Sequence, residues 1–193
     1  MGQRIGLFGG TFDPPHLGHL AVALAARDAL ELDRTLLVVA NQPWQKVGQR
    51  PVTEAHHRLA MTELLVQDTD GLEASDLEIA RGGMSYTIDT VEQLQKAGHE
   101  VVVILGADAA AGIDSWERAA ELSRLTRLAV VDRPGYDLPE LANWSVEKIP
   151  AQSISVSSSQ VRSSMSEGAL ATDSIPSAVR RYIDLHHLEW PER

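Results

Sequence analysis

The sequence predicts an α/β fold, a parallel sheet covered by helices on both faces, with a small helical part at the C-terminal end. Two observations predict it. Apolar runs rich in β-branched residues recur along the chain, and stretches with helical spacing lie between them. The runs are also nearly continuous rather than alternating, as in strands buried on both faces. The expected strands are residues 5–8, 35–39, 72–79, 101–105, 128–131 and 146–149. A first helix is read from Leu17, Leu20, Ala21 and Leu24, spaced i, i+3, i+4, i+7, and residues 59–66 and 91–97 carry the same pattern. Thr53 stands where an N-cap belongs and Gly98 where a helix-ending glycine belongs.

The C-terminal part has a different texture. "SISVSSSQVRSSMSEG" is Ser-rich, and "SIPSAVRRYIDLHHLEW" has helical spacing at Ile175, Val179 and Ile183. Ile154, Val156 and Val161, interleaved with the serines, favour an ordered passage from a strand end into a helix over a flexible tail. The expectation is one domain over residues 1–193, with an α/β core at 1–150 and the Ser-rich motif and helices at 151–193.

Composition narrows the function. At 193 residues the chain buries roughly 70% of its unfolded surface, enough for a core without staples. It has no cysteine, which excludes disulfides and thiolate chemistry and fits a reducing cytoplasm. No apolar run approaches the length of a membrane span, and no signal core opens the chain, so a cytoplasmic location without membrane attachment is expected. Twenty-seven acidic against 17 basic residues give a net charge of −10, which disfavours nucleic acid as a partner. A small anionic ligand is still allowed if the positive groups are few and concentrated. The composition allows a homo-oligomer without specifying one.

The densest chemistry lies in "GLFGGTFDPPHLGHLAVALAA", between the first strand and the first helix. Gly9 and Gly10 remove side chains where backbone must turn or approach a ligand. His16 and His19 stand three apart, so in a first helical turn they share a face, with Gly18 between them. A helix N-terminus offers N–H donors to an anion. A G-x-x-x-x-G-K-[ST] loop, a G-x-G-x-x-G fingerprint and a G-x-S-x-G elbow are all missing. Taken alone, the two histidines also fit a capped turn with no ligand.

The whole string "GGTFDPPHLGHL" resembles the H-x-G-H signature of the adenylyl- and cytidylyltransferase superfamily, which implies a Rossmann-like sheet. From Ile5 to about Leu188 the chain is similar to the bacterial nicotinate-mononucleotide adenylyltransferases. The landmarks follow in order: "QPWQK" at 42–46, "SYT" at 85–87, "GAD" at 106–108, "SW" at 115–116, "RPGY" at 133–136 and "VSSSQVR" at 156–162. The resemblance implies transfer of AMP from ATP to nicotinate mononucleotide, giving nicotinate adenine dinucleotide and pyrophosphate on the route to NAD. It also implies Mg²⁺ carried by the ATP phosphates.

By the same resemblance, His16, His19, Lys46 and Arg162 are the catalytic candidates, holding the phosphates and stabilising charge at the α-phosphorus. Gly9, Gly10, Thr11 and Phe12 lie against ATP, with Gly106 and Asp108 at its ribose and Arg133, Ser157, Ser158 and Ser159 at its phosphates. Ser85, Tyr86 and Thr87 receive the nicotinate carboxylate, and Trp116 stacks on the pyridine ring. Plainer roles stand beside these: helix caps for Asp108 and the serines, core packing for Trp116, a solvated loop for Lys46. Many relatives carry Pro-Pro-His-Lys or Pro-Pro-His-Arg where this chain has Pro43, Trp44, Gln45 and Lys46. His56, His57, His99, His186 and His187 are read as uninvolved. Two rivals remain, a pantetheine-phosphate adenylyltransferase and a non-catalytic nucleotide-binding protein on the same fold.

Overall fold

The computed structural model describes residues 2–46, 51–132, 141–150, 156–166 and 174–190. Its described strands are β1 (Arg4–Gly10), β2 (Arg34–Val39), β3 (Leu72–Ser75), β4 (Glu100–Gly106), β5 (Arg127–Val131) and β6 (Val146–Ile149). All pair in parallel, in the order β3-β2-β1-β4-β5-β6. That is the doubly wound order, and its direction reverses between β1 and β4, so a crevice opens beyond their carboxyl ends.

Period-two alternation sorts the strand residues into two cores. Ile5, Leu7, Leu36, Val38, Val101, Val103, Leu128 and Val130 face one side. There they pack against α4 (Thr87–Lys96) through Ile88 and Val91, α5 (Ala107–Ala110) through Ala107, and α6 (Ala119–Leu125) through Leu122. Phe8, Leu37, Val39, Val102, Ile104, Ala129 and Val131 face the other. They meet α1 (Leu17–Ala29), α2 (Ala55–Val66), α7 (Ser158–Ser166) and α8 (Ser177–Leu185). Both faces of the central strands are buried, which accounts for their unbroken apolar runs, whereas the edge strands β3 and β6 expose Glu73, Glu147 and Lys148.

Two local expectations are corrected. The run at 72–79 is not one strand: β3 stops at Ser75 and α3 (Leu77–Arg81) follows. Ser75 pairs with Val38, β2 ends one residue later, and the chain beyond has no ladder to join. Its backbone is satisfied in a helix instead, with the Ala80 N–H donating to the Asp76 carbonyl at 2.8 Å. The α2 N-cap is Glu54 rather than Thr53, whose carbonyl accepts a hydrogen bond from Arg58. Gly98 does follow α4, at φ +90°, where a side chain would be strained.

The C-terminal part packs as its spacing suggested. Ile175, Val179 and Ile183 are buried in the same core as α1 and α2, and His57 of α2 hydrogen-bonds the Tyr182 hydroxyl of α8 at 3.0 Å. Val161 is buried with them, whereas Ile154 lies outside the described residues. No described helix is long and apolar enough to cross a membrane. Ile183→Ala should lower the unfolding free energy by about 2–5 kcal/mol. Chemical denaturation would measure it, and a loss near zero would mean α8 is not part of the cooperative core.

Candidate active site

The turn after β1 is built from the inside. Phe12 adopts φ +51° and is buried, its ring edge-on to His19 with centroids 4.9 Å apart. A Cβ at Gly10 would come within 2.7 Å of that ring, so only glycine lets the phenyl fold back under the strand end. The Asp13-Pro14 peptide is cis. His16 is the N-cap of α1 in extended conformation, and its ring stacks on His19 at 3.7 Å. Gly18 lies against the His16 ring: a Cβ there would stand 2.9 Å from Nδ1 and 3.2 Å from the Val156 carbonyl. The spacing of the two histidines and the glycine between them thus has one physical cause, a flat pair of imidazoles over a bare backbone.

The His16 N–H donates to Nδ1 of His19 at 3.2 Å. In the neutral ring this bond assigns the proton to Nε2, which leaves Nε2 as a donor. Burial, and secondly the neighbouring His16, hold the His19 pKa well below its ordinary value of 6.5. The α1 N-terminus is less open than its sequence suggested, since the Leu17 N–H is taken by the Ser174 carbonyl and the His19 N–H by the His16 carbonyl.

Distant segments close on this turn. Arg162 donates through Nη1 to the Asp13 carbonyl at 2.7 Å and through Nη2 to the Ser159 hydroxyl at 2.9 Å. The Ser158 hydroxyl donates to the Pro14 carbonyl at 3.0 Å, and the Trp190 indole N–H to the buried Asp13 carboxylate at 2.9 Å. Ser157 is otherwise engaged. Its hydroxyl accepts the Gln160 N–H and its own N–H donates to the Gln160 side chain, a reciprocal cap of α7.

At the crevice between β1 and β4 lies a cavity of about 160 Å³. Gly9, Gly10, Thr11, Gly106, Ser85, Thr87 and Trp116 line it, with the buried Glu78 at the same wall. Trp116 is half-buried, and its indole N–H has no hydrogen-bond partner among the described residues. Ser85 is held in place by the segment after β2, its hydroxyl accepting the Asn41 N–H at 2.8 Å. A second cavity, about 550 Å³, has Ser159 and Arg162 on its wall with His57, His187 and Trp190.

Seven expected site residues therefore share the first cavity and two the second; the turn that carries His16 and His19 continues from Thr11 and is bonded to Arg162 and Ser158, and neither histidine lines either cavity. Tyr86 caps α4 and packs toward the core, and Asp108 is exposed in the first turn of α5; neither lines the cavity. Lys46 ends a 3-10 turn, Trp44–Lys46, and its side chain, like all of Arg133, lies outside the described residues. Arg58 and Trp190 were not anticipated, and Asp13 stood in the quoted signature without a role of its own. Arg58 carried a signal, an arginine at the buried spacing of Met61, Thr62 and Leu65.

With this geometry in place, comparison with known proteins defines the class: a cytidylyltransferase-like family model matches residues 7–164. Proteins named "Probable nicotinate-nucleotide adenylyltransferase" match nearly end to end. The one from Bordetella petrii is 39% identical over 96% of this chain and 98% of its own. The one from Thermus thermophilus is 41% identical over 96% and 99%. The chain belongs to the nicotinate-nucleotide adenylyltransferase family within the cytidylyltransferase-like class. The fold matches that of Plasmodium falciparum nicotinic acid mononucleotide adenylyltransferase complexed with NaAD, at TM-score 0.82 and 21% identity, over 96% of this chain and 97% of that one.

Because the folded protein favours neutral His19, acidification below about pH 6.5 protonates the unfolded chain first and erodes stability. Between pH 7.5 and 5.5, the melting temperature of His19→Gln should therefore fall less steeply than that of the parent, with the other histidines common to both. Parallel slopes would show that His19 titrates as freely folded as unfolded.

Proposed function

We propose that this chain joins ATP and nicotinate mononucleotide. A phosphate oxygen of the mononucleotide bonds to the α-phosphorus, the bond from that phosphorus to the bridging oxygen breaks, and pyrophosphate leaves with the electron pair. The nucleophile is already an anion, so no general base is needed, and the work is alignment and charge stabilisation. The observation that carries the reading is the stacked His16–His19 pair beside the β1/β4 crevice, in a chain about 40% identical to family members along nearly its whole length.

In this reading His19 donates from Nε2 to an α-phosphate oxygen. A polyanion alongside offsets the desolvation that penalises charge on His19. His16 shares the contact, and Arg162 with Ser158 and Ser159 holds the departing phosphates, with Lys46 and Arg133 as further cations by family resemblance. Gly9, Gly10, Thr11 and Gly106 let ATP approach the strand ends. Thr87 and the start of α4 receive the nicotinate carboxylate, and the Trp116 ring faces the pyridine. Ser157 and Asp108 take lesser parts, a cap and a ribose contact. By family resemblance Mg²⁺ would enter on the ATP phosphates with water. The reaction belongs in the cytoplasm with its soluble substrates.

Purified protein incubated with ATP and, separately, nicotinate mononucleotide, nicotinamide mononucleotide and pantetheine phosphate tests the reading by product. The dinucleotide of nicotinate should dominate. A pantetheine product would install the first rival, and ATP binding without pyrophosphate release the second. Within the panel, His19→Ala should lower kcat roughly 100- to 1,000-fold, the usual cost of one transition-state donor, and a near-normal kcat would remove it from the mechanism. Trp116→Ala should raise KM for the mononucleotide far more than for ATP, whereas equal changes would make Trp116 structural.

A further inference from the structure

We propose that Arg58 is a positioning residue for the transfer, one buried guanidinium that fixes three backbone segments framing both substrates; the inference rests on the functional reading above. Arg58 lies in the first turns of α2 and is only 1% exposed. Its Nε donates to the Thr53 carbonyl at 2.7 Å, Nη1 to Thr11 at 2.9 Å and Nη2 to Asn41 at 3.1 Å.

Each acceptor belongs to a different part of the site. Thr11 lines the crevice cavity directly after the glycine pair. Asn41 follows β2 and passes the constraint on, its N–H to the Ser85 hydroxyl and its side-chain amide to the Gly83 carbonyl at 2.9 Å. Thr53 ends the stretch of chain that leads from Lys46 into α2. A single side chain thus spans the ATP-facing turn, the nicotinate-facing loop and the base of the lysine segment.

Packing alone does not call for an arginine here. The neighbouring face of α2 is filled by Met61, Thr62 and Leu65, and an apolar chain of similar length would occupy the space without the cost of burying a charge. Only a planar fork with five N–H donors reaches three carbonyls in three directions, and a lysine ammonium on the same stem cannot.

The test uses Arg58→Lys and Arg58→Met in the full chain, read by steady-state kinetics and by amide hydrogen exchange. Arg58→Met should lower kcat roughly 100-fold, with KM for either substrate changing far less, and Arg58→Lys should fall between it and the parent. The amides of Ala40, Asn41 and Ser85, which bond to Gly10, Ser85 and Gln42, should exchange at least tenfold faster, while Leu122 on the opposite core is unchanged. Unchanged exchange at those three amides in both variants, whatever the activity, would overturn the proposal, as would parental kcat in a folded Arg58→Met. If the Met variant does not fold, Arg58→Lys decides: parental kcat and exchange refute the fork, loss of both supports it. A parent chain that releases no pyrophosphate refutes the functional reading, and the exchange measurement still decides the role of Arg58.

Discussion

Residues 9–19 are gripped from almost every part of the chain, and the site exists because those grips meet. Arg58 holds the Thr11 carbonyl, Arg162 that of Asp13, Ser158 that of Pro14, and Trp190 the Asp13 carboxylate, while Ser174 takes the Leu17 N–H. A neutral hydrogen bond of this kind contributes about 0.5–1.5 kcal/mol net, and one to a charged group about 1.5–3 kcal/mol. Such values matter less as stability than as constraint. Five anchors on eleven residues leave the imidazole pair few ways to move, and in phosphoryl chemistry the geometry is most of the catalysis.

Electrostatics follow the same economy. The chain is strongly acidic, and the guanidiniums of Arg58 and Arg162 donate to carbonyls beside the candidate site. Arg118 shows the contrast: it meets Asp89, Glu92 and Glu121 on the exposed flank of α4 and α6, where solvent screening leaves ion pairs worth little. Burial first, and the neighbouring His16 second, hold His19 neutral at rest.

Several residues serve structure and chemistry together. Ser157 closes the cap of α7, while Ser158, next in the chain, joins that helix to the Pro14 carbonyl. Ser85 carries the loop of the first cavity on the end of β2, and Gly106 is the N-cap of α5 as well as part of the crevice floor. A plain structural role and a functional one are not competing descriptions at these positions.

The sheet was legible because burial on both faces writes itself into composition: the strand runs of β1, β2, β4 and β5 are apolar wherever the two cores need them. The boundary between β3 and α3 was not, since it depends on where the neighbouring strand runs out. The His16–Gly18–His19 spacing announced a special turn because stacking and bare backbone are local requirements. Arg58 and Trp190 were silent or nearly so: apart from Thr53, five residues from Arg58, their partners lie 17 to 177 residues away, and a hydrogen bond across such distances leaves no periodicity to read. The sequence alone determined the alternation of elements and singled out the histidine-bearing turn after β1; tertiary structure decided what holds that turn still, because only the folded chain brings α2, α7 and the C-terminal segment to the carboxyl end of β1.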